Sequence, residues 1–318
     1  MAYAYAVARV MAMKSKLLTN DDYSRMRKMG VHEMARALET GEYGKEMSRL
    51  VSYRGAELVG MALNESLATI ANKLMRMTEK KSGKNIVRLY ASKWVYANAK
   101  LLARRLAGRI SDSDLNYSVI PVEPTTHAFC AAAAKSPDVC ARAISKITGM
   151  KSDDVKKALP GRLGDVENEI DKRYYAALSS GVAEPAVAAF FVATIELMNI
   201  RNIMKLKYHA SAASGYVIGK PSMLVSRLLK SDYGQCLAIL EKERPDIAKG
   251  VRTKRTMLEN NTEKAMLQRA STLMRGKSLA PVFGYLVRKE AEVRNVRLLM
   301  SAKANALDEK FVEENLVI

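Results

Sequence analysis

Apolar residues recur along nearly the whole chain at spacings of three and four, and strict alternation is nearly absent. This pattern predicts helices from one end to the other. A first amphipathic helix is expected over 3–18, with Tyr3, Val7, Val10, Met11 and Lys14 near one stripe. Thr19-Asn20-Asp21-Asp22 offers an N-cap and an acidic first turn to a second helix reaching Met29. A third covers 32–40, with Gly41 as its C′ residue. Helical periodicity continues over 46–53, 56–77 and 85–106, with a charged turn at 80–84 and a stop at Gly108. Residues 125–158 read as short helices broken at Pro137, Gly149 and Pro160, followed by a loop at Gly161 and Gly164. Helices over 165–178 and 184–213 flank a break at 179–181, and Pro185 stands in a first turn, where proline is tolerated. After a linker at 215–221, helices are expected over 222–229, 235–242, 245–274, 278–303 and 308–316. The fold class is all-α.

One pattern appears three times inside these helices: Asn, aliphatic, basic, any residue, Leu or Ile, then Ala or Met. It stands at Asn98-Ala99-Lys100, at Asn199-Ile200-Arg201 and at Asn295-Val296-Arg297. Asn costs a mid-helix position roughly half a kcal/mol against Ala. Three such residues, 101 and 96 positions apart, point to three copies of one unit. A second marker, Leu-x-x-x-acid-Tyr-Gly, occurs at Leu38 to Gly44 and at Leu228 to Gly234 and has no match in the middle copy. The units are placed at 1–115, 116–215 and 216–318.

Length agrees, since 318 residues exceed the usual single core. With 5 Phe and 1 Trp, the packing is expected to fall on Leu, Met and Ala. Cys130, Cys140 and Cys236 form no Cys-x-x-Cys pair, which argues for a reducing cytosol. His32, His127 and His209 have no metal spacing. Arg9 and Lys14 interrupt any signal peptide, and the longest uncharged run near a helical core, 185–195, is too short to span a bilayer. Net charge is +19, distributed as +9 over 1–100, zero over 101–200 and +10 over 201–318. Such a balance suits an anionic partner or solvated helix faces. Basic residues of the first and third units, Lys100, Arg104, Arg105, Arg294, Arg297 and Lys303, are expected to merge into one positive region.

Catalytic signatures are missing. Gly215 to Pro221 resembles a phosphate loop one residue short, with Pro221 in place of the Ser or Thr that binds magnesium. Gly276-Lys277-Ser278 has the right ending, but Ser271 stands where the first Gly belongs. Glu196 and Glu292 each precede a signature Asn by three residues, and Val95 holds that place in the first copy. That asymmetry suits a scaffold better than a paired-acid site. No catalytic, cofactor-binding or metal-binding residue is assigned. Asn98, Lys100, Arg104, Glu196, Asn199, Arg201, Glu292, Arg294, Asn295 and Arg297 are candidates for partner or inter-unit contacts.

Residues 5–18, the three Asn-x-basic helices, and the segment from Pro281-Val282-Phe283-Gly284-Tyr285 through Asn295-Val296-Arg297 to Glu313-Glu314-Asn315-Leu316-Val317 resemble the C subunit of archaeal A-type ATP synthases. The eukaryotic V-type counterpart of that family is the d subunit. The resemblance implies a non-catalytic part of the rotor. Three helical subdomains would form a funnel, with the membrane proteolipid ring on the wide side and the central stalk on the other. It further implies a cytoplasmic protein held peripherally to the membrane by its complex, with no cofactor, no nucleotide and no nucleic acid among its partners. The alternative is a basic helical-repeat protein that binds nucleic acid. Against that alternative stand the scarcity of aromatic stacking residues and the lack of a binding motif.

Overall fold

A computed structural model of the protein describes residues 3–78, 86–158, 161–179, 182 and 184–318. Among the described residues every regular element is helical. The predicted turn at 80–84 and the predicted breaks at Pro160 and 180–181 lie outside them.

The chain opens with α1 (Ala4–Lys14), α2 (Asn20–Lys28), α3 (Val31–Glu39) and the single turn α4 (Gly44–Met47). A reciprocal capping box starts α2. The Thr19 hydroxyl accepts from the Asp22 N–H, and the Asp22 carboxylate accepts from the Thr19 N–H at 2.8 Å. The buried stripe of α1 is Ala6 and Val10, while Met11 is exposed, so the expected face is rotated. Helix over 46–53 ends at Met47. Gly44 is required by space: a Cβ there would lie 2.0 Å from the Glu39 carbonyl oxygen.

Two long helices follow, α5 (Gly55–Thr78) and α6 (Ile86–Leu106), the second stopped near Gly108, which is left-handed at φ +67°. Next come α7 (Asp112–Ser118), α8 (His127–Ala134), α9 (Pro137–Thr148), α10 (Ser152–Ala158) and α11 (Leu163–Ser179). The break expected at Pro137 separates α8 from α9, and Pro137 itself begins α9. It occupies the first turn behind a Ser136 cap, where its missing N–H costs nothing. Gly164 likewise belongs to the first turn of α11. Beyond lie α12 (Pro185–Tyr208), α13 (Met223–Lys230), α14 (Tyr233–Glu243), α15 (Pro245–Ala248), α16 (Met257–Leu273), α17 (Ala280–Ala304) and α18 (Glu309–Asn315). The single helix expected over 245–274 is two, separated by a turn in which Gly250 takes φ +74°.

The long helices pack in a circuit. Helix α5 lies on α17, α11 lies on α6, and α16 lies on α12 as well as on α17. The N-terminal helices α1 and α3 also rest on α17, so the first and last parts of the chain are joined. Helices α6 and α12 both pass from a shared central core into a peripheral one. Ile86 to Val95 and Val187 to Phe191 lie in the centre, whereas Ala99 to Ala103 and Leu197 to Met204 lie in separate outer clusters.

At the centre the three signature helices meet on an aromatic hub. Phe283 of α17 has its ring centroid 4.9 Å from Tyr90 of α6 and 5.1 and 5.3 Å from Phe190 and Phe191 of α12, all edge to face. Each such pair adds about 0.5–1.5 kcal/mol beyond area burial. The sparse aromatics are therefore concentrated where three helices converge, and Leu, Met and Ala fill the remainder. Among the described residues α12 alone has the length and apolarity to cross a membrane, but 56% of its most apolar window is buried inside the protein. Burial against the hub accounts for that composition.

Candidate functional site

Each signature asparagine is 1% exposed and clamps both the N–H and the C=O of one residue. The Asn98 amide donates to the Ile120 carbonyl at 2.7 Å and its oxygen accepts from the Ile120 N–H at 3.2 Å. Asn199 does the same with Ile218, at 3.0 and 2.7 Å. Asn295 does so with Val317, at 2.8 and 3.0 Å. A mid-helix Asn thus satisfies the N–H and C=O of an extended segment that would otherwise be buried unpaired.

A second series of asparagines holds the same three segments one turn earlier. Asn64 of α5 donates to the Tyr117 carbonyl at 3.0 Å and Asn168 of α11 to that of Gly215 at 3.1 Å. Asn260 of α16 donates to the Glu314 carbonyl. These carbonyls all precede the clamped residue by three positions. Sequence reasoning missed this series. Its signal is the pair Asn-Glu or Asn-Asn at Asn64-Glu65, Asn168-Glu169 and Asn260-Asn261, one per helix that precedes a signature helix. The supposed phosphate loop at 215–221 is one of the held segments: Gly215 and Ile218 are the residues gripped by Asn168 and Asn199.

The basic residue two places after each signature Asn reaches a neighbouring long helix. Lys100 meets Asp171 of α11 at 2.7 Å. Arg201 meets Glu263 and Glu259 of α16 at 3.4 and 3.5 Å. Arg297 donates to the Asn64 side chain of α5, and its burial pulls the guanidinium below its usual pKa range. One turn further, Arg104 binds Glu167 at 2.5 Å, and that bond raises its pKa. Arg294 lies 4.0 Å from Glu263. Arg105 pairs with Asp112 at 2.5 Å. The expected positive region is corrected accordingly: four of its six members, Lys100, Arg104, Arg105 and Arg297, are engaged by groups of this same chain. Net charge by segment cannot reveal such pairing, because most of the partners lie in distant parts of the chain.

The two acids differ. Glu196 accepts from the Ser222 hydroxyl at 2.7 Å and lies 3.8 Å from Arg244. Glu292 is 3% exposed and accepts from three donors: the Leu18 N–H at 2.6 Å, the Tyr43 hydroxyl at 2.6 Å and Lys289 at 2.5 Å. Burial, then the adjacent carboxylate, pushes the Tyr43 hydroxyl well above its ordinary pKa. Tyr43 carries the acid-Tyr-Gly marker. Its counterpart Tyr233 instead packs on Tyr208, with ring centroids 5.4 Å apart.

Between the signature helices lies a cavity of about 420 Å³. Its wall carries Tyr90, Lys93 and Lys100 from α6, Arg201 from α12, and Glu290 and Arg294 from α17. Lys93 pairs with Glu290, which also accepts from the Tyr90 hydroxyl at 2.6 Å. Among the described residues no group of three or more His, Cys, Asp or Glu side chains is arranged to hold a metal ion.

Comparison with known proteins gives a consistent result. The family model described as ATP synthase (C/AC39) subunit matches residues 6–315. The A-type ATP synthase C subunit of Methanosarcina acetivorans is 27% identical, over 99% of this chain and 93% of the relative. That of Methanococcoides burtonii is 27% identical over 99% and 94%, and that of Halobacterium salinarum 26% over 99% and 97%. With a family match that takes in all three signature helices, the chain belongs to the ATP synthase (C/AC39) subunit family.

Proposed function

We propose that this protein is a non-catalytic central-rotor subunit of an A-type ATP synthase, a socket that couples the membrane proteolipid ring to the central stalk. The observation that carries the reading is the circuit of long helices, in which each signature helix is bridged to a neighbouring long helix through the residue two places past its Asn. On this reading the units 1–115, 116–215 and 216–318 are pseudo-symmetric and surround the central cavity as a funnel. The wide side receives the ring and the other the stalk, and the protein is cytoplasmic and peripheral to the membrane. A coupler has to deform little under torque, and close-packed interiors have low compressibility. A grip on either partner needs an interface of roughly 1,000 Å² or more. Nucleic-acid binding is the second reading, and the scarcity of aromatic stacking residues and the lack of a binding motif weigh against it.

Photoreactive side chains placed singly at the exposed positions Tyr5, Val51, Val192 and Met223 in the assembled complex test the proposal. Capture of proteolipid or central-stalk subunits is expected, with ATP-driven turnover preserved when both crosslinked parts rotate together. Capture of peripheral-stalk subunits alone, or loss of turnover on crosslinking to the ring, would refute it.

A further inference from the structure

The first two signature helices share a basic residue six places past the Asn, Arg104 and Lys205. In the first, Arg104 is neutralised by Glu167, the residue before Asn168. The equivalent acid before Asn260 is Glu259, and it faces Arg201 instead. Lys205 is left exposed with no carboxylate paired to it among the described residues.

That lysine opens onto a basin of about 510 Å³ between the C-terminal end of α12 and the loop leading into α16. Opposite stands Arg255, also without a carboxylate partner among the described residues, its guanidinium 3.5 Å above the Tyr208 ring. Stacking of this kind fixes a long side chain and holds its charge in place. Tyr233 forms the second aromatic wall, edge to face with Tyr208. The floor is apolar, formed by the buried Met204, Val251 and Leu258. Lys254 and Arg201 add cations that already have carboxylate partners, and Glu259 is the sole acid in the lining.

We propose that this basin is a binding site for a phosphate-bearing anion, with Lys205 and Arg255 as its two cationic ligands and Tyr208 and Tyr233 as walls. Its volume falls in the range of small-molecule sites. An arginine held against an aromatic face leaves its outer N–H groups free for bidentate contact with phosphate oxygens. The phosphate group can belong to a soluble compound or to an anionic lipid headgroup, and the role is independent of the rotor reading.

Two probes separate these sources with the full-length protein: pyrophosphate by titration calorimetry, and phosphatidylglycerol vesicles by flotation. Saturable binding of pyrophosphate alone identifies a soluble ligand, and flotation alone identifies a headgroup. In either case the double variant Lys205→Gln, Arg255→Gln is expected to weaken binding tenfold or more. The control Lys14→Gln, Lys45→Gln removes the same net charge elsewhere and is expected to change it less than twofold. In the unmodified chain, pyrophosphate or vesicles should also protect Lys205 from an amine-reactive reagent more than Lys14, a readout that needs no variant. Binding of neither probe, equal weakening by both double variants, or equal protection of both lysines would overturn the proposal.

Discussion

The Tyr43 hydroxyl donates to the Glu292 carboxylate at 2.6 Å across 249 positions of sequence, and Lys289 donates to the same oxygen and, at 3.0 Å, to the Tyr43 hydroxyl. All three residues are buried. The Tyr43 hydrogen bond therefore joins the turn between α3 and α4 to the last long helix, at a carboxylate whose ionic partner, Lys289, lies on that same helix.

Removing one member of that contact should be costly. Glu292→Leu leaves the Lys289 ammonium buried without its anion, and a broken buried pair costs about 3–5 kcal/mol. The double variant Lys289→Met, Glu292→Leu should recover part of the loss, since the buried ammonium is gone while the Leu18 N–H and the Tyr43 hydroxyl still lack their acceptor. Tyr43→Phe removes one neutral donor to a charged acceptor and should cost about 1.5–3 kcal/mol. Urea unfolding of the four proteins measures all three differences. A double variant no more stable than Glu292→Leu would show that the pair is not the source of the cost.

Asn98→Ala, Asn199→Ala and Asn295→Ala should each destabilise the protein by about 1–3 kcal/mol per orphaned peptide group. The clamp is the same at Ile120, Ile218 and Val317, and loss of Asn98 should cost more than loss of Asn199, because its amide also donates to the buried Thr125 hydroxyl at 2.9 Å. Asn168→Ala should be milder, since a single carbonyl with a second lone pair loses its donor. Unchanged melting of the signature variants would move these residues from internal clamps to partner contacts.

Much of this is legible in the sequence, and the reason is energetic. An Asn in mid-helix is unfavourable enough to demand a tertiary explanation, so Asn98, Asn199 and Asn295 stand out. Asn64, Asn168 and Asn260 do not, because Asn beside Glu, or beside another Asn, on a helix reads as an ordinary solvated face. Helix starts marked by side-chain caps, such as Thr19, are readable, and so is the break before Pro137, which the Ser136 cap turns into the start of α9. The split near Gly250 depends on a left-handed backbone that periodicity does not encode. Charge pairing is opaque for a different cause: Lys100 and Asp171, or Arg104 and Glu167, lie more than sixty positions apart, and only the packing of α11 on α6 brings them together.

Gly284→Ala should lower stability although Ala is the better helix former. A Cβ at this position would sit 2.7 Å from the Ala270 carbonyl oxygen and 3.0 Å from the Met274 nitrogen, both backbone atoms. Overpacking of this kind costs about 1–3 kcal/mol, against the roughly 0.8–1.0 kcal/mol that helix propensity would return. Phe283→Ala, one residue away, should cost about 3–5 kcal/mol by emptying the hub. Thermal melts of both variants, compared with Phe283→Leu, separate crowding from cavity formation.

Stability should fall in alkali and hold at neutral pH. Burial pushes the Cys140 thiol up to about 11 and Cys130 to about 12, and it raises Cys236 and the hydroxyls of Tyr23, Tyr43, Tyr90, Tyr174, Tyr175 and Tyr285 above their ordinary values. A raised folded-state pKa favours the protonated form, so this contribution is complete below the unfolded values near 8.5 for Cys and 10 for Tyr. It is lost as pH climbs through the folded ones. Urea midpoints should therefore be flat from pH 7 to 8 and decline above about pH 9. Native protein should resist thiol-specific alkylation at pH 8 until denaturant is added. Rapid labelling of Cys140 in the folded protein would contradict both expectations.

Open-ended repeat arrays unravel from their terminal units, because each unit touches only its neighbours in sequence. Here α1 and α3 rest on α17, and Asn260 and Asn295 pin the last residues at Glu314 and Val317. The first and last helices therefore share one core, and neither can be loosened without exposing apolar surface that the other covers. Unfolding should then be a single cooperative event despite the length of the chain, with its first and last helices exchanging their amide protons as slowly as the middle.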